Sequence, residues 1–193
     1  MAGLALLTIL ALSILVGLGA AVTMDASIYG GRAPTAQMAV LAVVFNGLAA
    51  LITPLSSAMG ASTFMPIGGE QLHLGLSPIL IWLAAGCAIG LLAAHAKDTF
   101  PAALLATGIA YISWLGLAMM VLPSVESNIH WTLYMAQMTD RIFSQAPLDL
   151  LTIFALPAVS AVSIALFEPL IPSEKPKTTA VQPLRRRFWD YEE

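Results

Sequence analysis

Long apolar runs broken by short polar interruptions dominate this chain: residues 1–24, 33–69 and 99–125 contain no Asp, Glu, Lys or Arg. A helix needs roughly 20 apolar residues to cross about 30 Å of hydrocarbon. Five stretches meet that need, at about 3–23, 36–57, 77–96, 100–122 and 148–167. Prolines mark their starts. Pro34 precedes the second, Ser77-Pro78 reads as an N-cap and first helical position, Thr99 and Pro101 open the fourth, and Pro147 opens the fifth. Pro157 falls near the middle of the fifth, where the missing N–H predicts a kink, yet Asp149 and Glu168 bracket an uncharged run of 18 residues.

Between the fourth and fifth stretches, residues 124–145 show helical periodicity. Trp131, Met135, Met138 and Ile142 make an apolar stripe, and Glu126, His130, Gln137 and Arg141 lie on the opposite face. Pro123 is expected to end the preceding span and Ser124 to cap this helix, which would lie in the membrane interface. The fold expected is therefore all-α integral membrane: a transmembrane domain of five helices over residues 1–171, an amphipathic interfacial helix, and a flexible tail over 172–193.

Composition strengthens this reading. Hydrophobic residues make up 59% and charged residues 10% of 193 positions, more apolar surface than one soluble core can bury. Basic residues near span ends are retained on the cytoplasmic side. With the N-terminus outside, the inner side receives Arg32, Lys97, Lys175, Lys177, Arg185, Arg186 and Arg187, and the outer side only Arg141. This asymmetry predicts an N-out, C-in protein of the cell membrane with a cytoplasmic tail. The first stretch lacks a basic n-region and is about twice the length of a signal-peptide core, so it reads as a span.

In the tail, Pro172, Pro176 and Pro183 stand among polar residues that cannot bury enough apolar area to offset the entropy of ordering. Beyond them, Arg185, Arg186 and Arg187 beside Trp189 suit anionic headgroups and the bilayer interface. That basic cluster is too small to hold a nucleic acid duplex and is followed by Asp190, Glu192 and Glu193, which excludes nucleic acid as a partner. The single cysteine, Cys87, excludes an intrachain disulfide.

Small residues suggest how the helices pack. Gly86, Gly90 and Ala94 recur at four-residue spacing on the third stretch, and Ala102, Ala106 and Ala110 on the fourth. Lipid is as apolar as Leu, so helices associate by close backbone approach. With only a few residues joining the two stretches, a tight antiparallel hairpin between them is expected.

Candidate chemistry is sparse. Glu70 with His73, and Glu126 with His130, lie three and four residues apart in the outer connections, with Asp140 as a further oxygen donor. Such a set is chemically adequate for Zn²⁺ or another divalent transition metal. The expected hydrocarbon core holds no Asp, Glu, Lys or Arg, and its most polar centre is Asn46, followed by Thr53 and Pro54. That argues against a proton-coupled carrier. Carbonyls freed near Pro54 and Pro157 could line a path for a neutral solute. No phosphate-binding Gly-rich loop, G-x-S-x-G elbow or H-E-x-x-H occurs. The expectation is a non-catalytic, cofactor-free subunit or scaffold that self-associates or joins other membrane subunits through Trp131, Met135, Met138 and the tail. A small channel or carrier for an uncharged solute is the alternative, and an outer-face metal-dependent enzyme the third reading.

Overall fold

Seven α-helices and no strand occur among the described residues, which in this computed structural model are 2–23, 35–60, 73–93, 96–125, 131–140, 143–144 and 146–167. They are α1 (Ala2–Thr23), α2 (Ala36–Ile52), α3 (Pro54–Ala58), α4 (Ser77–Leu92), α5 (Ala96–Val125), α6 (Trp131–Asp140) and α7 (Pro147–Phe167). Three are long and apolar enough to cross a membrane: α1, α5 and α7. The other two apolar helices are shorter, 17 residues in α2 and 16 in α4. At 1.5 Å per residue they extend about 24–26 Å.

Local chemistry sets most ends. Thr35 caps α2 by accepting the Met38 N–H at 3.2 Å. Ser77 turns out to be the first helical residue of α4 rather than its cap, with Pro78 in the first turn, where a missing N–H costs nothing. Other boundaries also differ from expectation: α5 is already helical at Ala96, so Thr99 and Pro101 lie within it rather than opening it, and α4 ends at Leu92. The stretch 36–57 is not one helix, because it breaks at Thr53 (φ −120°, ψ 60°) and restarts at Pro54. Conversely, α5 runs through Pro123 to Val125, and Ser124 donates to the Met120 carbonyl instead of capping a new helix. A proline in the last turn removes only one hydrogen bond, which leaves the helix free to finish. Of the amphipathic helix expected over 124–145, Trp131–Asp140 is helical, and residues 126–130, 141–142 and 145 lie outside the described residues.

Four helices form the centre: α1 and α7 each pack against both α4 and α5, and α2 lies against α1 and α5. One apolar cluster joins Leu7, Ala11, Ile89, Ala93, Ala102, Ala103, Ala106, Ala158 and Ala161. A larger one gathers Leu15, Phe45, Leu51, Trp82, Ala110, Trp114 and Ile153 with their neighbours. Outward positions are equally apolar, including Ile9 on α1, Leu91 on α4, Ile112 and Met119 on α5, and Leu151 and Val159 on α7.

The close crossings involve glycine, but with partners other than those expected. A Cβ at Gly86 would lie 2.5 Å from the Pro157 carbonyl oxygen and 2.7 Å from its Cα, and one at Gly90 would lie 2.6 Å from the Ala161 oxygen. The glycine face of α4 therefore meets α7, and the expected hairpin with α5 is corrected. Consecutive in sequence, α4 and α5 share little surface. Ala102, Ala106 and Ala110 are buried, the first two in the cluster with Leu7 and Ala11 of α1. Ala94 lies outside the described residues. A second crossing, of α1 with α2, puts a Cβ at Gly19 within 2.7 Å of the Gly47 oxygen.

Candidate functional site

The break at Thr53 leaves backbone groups that no helix can satisfy. A helix start has orphan N–H donors and a helix end orphan carbonyls, and burying either without a partner is costly. Pro54, as the first residue of α3, has no N–H to orphan. Leu55 and Ser56 donate their N–H groups to Asp149 Oδ1 at 2.6 and 3.0 Å, and the Ser56 hydroxyl donates to Asp149 Oδ2. Ser57 N–H donates to the Thr53 carbonyl at 3.0 Å. Every donor of the first turn of α3 is thus accounted for, and a carboxylate from α7 takes most of them.

On the other side of the break, the Leu51 carbonyl has lost the Leu55 N–H that a continuous helix would have supplied. The Trp82 indole N–H of α4 donates to it at 2.9 Å. One interruption is therefore reached from two other helices, by Asp149 of α7 at the α3 donors and by Trp82 of α4 at the Leu51 carbonyl. Both side chains are buried, Asp149 to 2% exposure and Trp82 to 1%.

A second proline is handled in the same way. Pro157 cannot donate to the Ile153 carbonyl four residues earlier, yet α7 continues through it. The Thr107 hydroxyl of α5 shares its proton between the Ala103 carbonyl at 3.0 Å and the Ile153 carbonyl at 3.4 Å. The Pro157 carbonyl accepts from Ser160 Oγ at 3.2 Å and lies against Gly86. One buried nitrogen is left over: Trp114 Nε1 has no acceptor among the described residues. Its ring is tilted against Tyr111 at 5.8 Å.

Of the residues singled out from sequence, Asn46 is buried in α2. His73 is exposed just before α4, and Asp140 is exposed at the end of α6. Glu70, Glu126 and His130 lie outside the described residues, as do Arg185, Arg186, Arg187 and Trp189. Among the described residues no three His, Cys, Asp or Glu side chains converge. The backbone of α6 carries Trp131, Met135 and Met138 at the spacing of one helical face.

Sequence reasoning used Asp149 only as the charge that brackets the fifth apolar run and gave Trp82 and Thr107 no role. One signal was available for Asp149: it is the lone charge in the otherwise uncharged run 142–167, two residues beyond a helix-starting proline. Chemically, the arrangement holds helices together. Its carboxylate accepts from three donors, all on α3. Comparison of the chain with known protein families, with curated proteins and with solved structures finds no match.

Proposed function

We propose that this chain is a multi-pass membrane protein with five spans, N-terminus outside and C-terminus in the cytoplasm, acting as a non-catalytic subunit or scaffold of a larger membrane assembly. The observation that carries the reading is that side chains of other helices reach polar groups exposed by its two interior breaks. Trp82 takes the Leu51 carbonyl, Thr107 the Ile153 carbonyl and Asp149 the α3 donors. In hydrocarbon, backbone groups left by a break must find partners within the protein or line water. Here the Leu51 and Ile153 carbonyls and the Leu55 and Ser56 N–H groups have partners in other helices, which favours a supporting role over a conducting one.

The short helices fit such a bundle. At about 24–26 Å, α2 and α4 span a membrane by local thinning and by their flanking segments. Outward Leu, Ile, Val and Met side chains suit contact with lipid tails, and the charge asymmetry sets the orientation. Contact with partner subunits, or with a second copy, is assigned to α6 through Trp131, Met135 and Met138, and to the tail with Arg185, Arg186, Arg187 and Trp189. Such a role requires no cofactor.

Purification from native membrane in mild detergent, followed by native mass spectrometry, tests the reading. A fixed stoichiometry with another membrane protein or with itself is expected, lost when Trp131, Met135 and Met138 are changed together to Ser. A monomer that conducts an uncharged solute after reconstitution in liposomes would replace it with the channel reading. Stoichiometric metal that disappears with His73→Ala or His130→Ala would favour the metal-dependent enzyme.

A further inference from the structure

The break between α2 and α3 takes the donors from three carbonyls, and only one of them gains a replacement. In an unbroken helix Ala50, Leu51 and Ile52 would accept from residues 54, 55 and 56. Pro54 has no N–H, and Leu55 and Ser56 give theirs to Asp149. Trp82 reaches the Leu51 carbonyl. Among the described residues, no side chain and no other helix donates to the carbonyl of Ala50 or of Ile52. Both residues are buried, at 4% exposure, where an unmet carbonyl is costly.

Charge points the same way, and independently. The buried Asp149 carboxylate meets three donors, the surroundings of an ionised group. Two N–H groups fill Oδ1, whereas Oδ2 takes one hydroxyl and keeps an acceptor position. None of α2, α3, α4 and α7, the helices that meet at the break, carries a Lys, Arg or His. A charge inside a membrane bundle without a counter-charge is expensive. The C-terminal end of α2 adds the negative end of a helix dipole beside it.

We propose that the break binds one dehydrated alkali cation, Na⁺ or K⁺, through the Ala50 and Ile52 carbonyls and the remaining acceptor position of Asp149 Oδ2. Such hard cations take oxygen ligands, and interrupted membrane helices use freed carbonyls for Na⁺ in this way. One carboxylate among neutral carbonyls balances a single positive charge, which selects a monovalent ion over Ca²⁺ or Mg²⁺. The ion ties the end of α2 to α7, as Trp82 ties it to α4. Its role is structural, and the site stands apart from the subunit reading because it requires no partner.

The test uses the purified chain in detergent, with N-methyl-D-glucamine chloride replaced stepwise by NaCl or KCl at constant ionic strength. A saturable rise in unfolding temperature of about 5 °C or more is expected with at least one of the two salts, since a ligand of the folded state stabilises it. Equilibrium dialysis with radiolabelled Na⁺, or Rb⁺ in place of K⁺, should show one ion per chain. Asp149→Asn should abolish both effects. Pro54→Ala restores an N–H for the Ala50 carbonyl and should weaken the ion by about tenfold or more, so it serves if Asp149→Asn does not fold. The same unfolding temperature in all three salts, with no ion retained, would leave the carbonyls to water and overturn the site. An ion response that both variants keep unchanged would overturn it as well.

Discussion

Trp82 and Trp114 make a matched pair that isolates one hydrogen bond. Both are buried to 1% exposure in the same apolar cluster, so replacement by Phe removes similar bulk from similar surroundings. Their indole nitrogens differ: Trp82 donates to the Leu51 carbonyl at 2.9 Å, and Trp114 has no acceptor among the described residues. Trp82→Phe therefore strands a carbonyl beside the break in α2. Interhelical hydrogen bonds in membrane bundles average about 0.6 kcal/mol and reach about 1.7, because the unfolded state in the membrane also finds partners. Trp114→Phe works in the opposite direction, since it removes a buried unpaired donor whose burial costs about 1–3 kcal/mol. The cost of lost bulk is common to both and largely cancels in the comparison. Trp82→Phe is accordingly expected to be the less stable variant by about 2 kcal/mol. Reversible unfolding in mixed micelles with increasing SDS, followed by far-UV circular dichroism, measures the difference. Equal losses, or a larger loss for Trp114→Phe, would refute the claim that Trp82 closes the break.

Other substitutions test the packing and the second proline. Gly86→Ala should destabilise by about 1–3 kcal/mol, because its Cβ meets the Pro157 backbone at 2.5 Å and α4 must move away from α7. Gly116→Ala, whose Cβ would meet nothing within 4 Å, should be neutral or stabilising by up to about 1 kcal/mol through helix propensity. Thermal unfolding in detergent compares the two, and similar losses would remove the argument for the α4–α7 crossing. Thr107→Val keeps the shape but removes the donor shared with Ile153. At 3.4 Å that bond is long, so the loss should stay below about 0.6 kcal/mol, less than for Trp82→Phe; a larger loss would mean that the Pro157 break depends on Thr107 more than the geometry implies.

What could be read from the sequence followed from chemistry that acts locally. The uncharged runs that define α1 and α7 place their ends within about a residue, since hydropathy and a starting proline need no knowledge of the fold. Pro54 and Pro157 show why the rest was hidden. Both interrupt apolar stretches, yet α2 breaks at the first and α7 passes through the second. The difference lies in the partners. At Pro54 the freed groups meet Asp149 and Trp82 from distant helices, and no local pattern records that meeting. The glycine face of α4 had the same ambiguity: rows of small residues occur on α5 (Ala102, Ala106) and on α7 (Ala158, Ala161, Ala165), and spacing alone does not choose between them. As for a site, the sequence pointed to Asn46 and the outer Glu and His residues, and it did not single out Asp149, Trp82 and Thr107, whose polar contacts also join helices. Those three look unremarkable because a flanking acid, a core aromatic and a helical Thr are common in any apolar helix.

The central claim is that all five long apolar segments cross the membrane, including the two short ones around the break. Single cysteines at Met59, Ser127 and Ser173, in a chain with Cys87 replaced, can be labelled in intact cells with a membrane-impermeant maleimide. Ser127 should react from outside and Ser173 only after the membrane is opened, whether three helices cross or five, so Met59 decides. Met59 is exposed just beyond α3, and five crossings put it outside with Ser127. Outside labelling at both Met59 and Ser127, with Ser173 protected, is the expected result; Met59 protected until the membrane is opened would mean that only α1, α5 and α7 cross, and would contradict the five-span bundle.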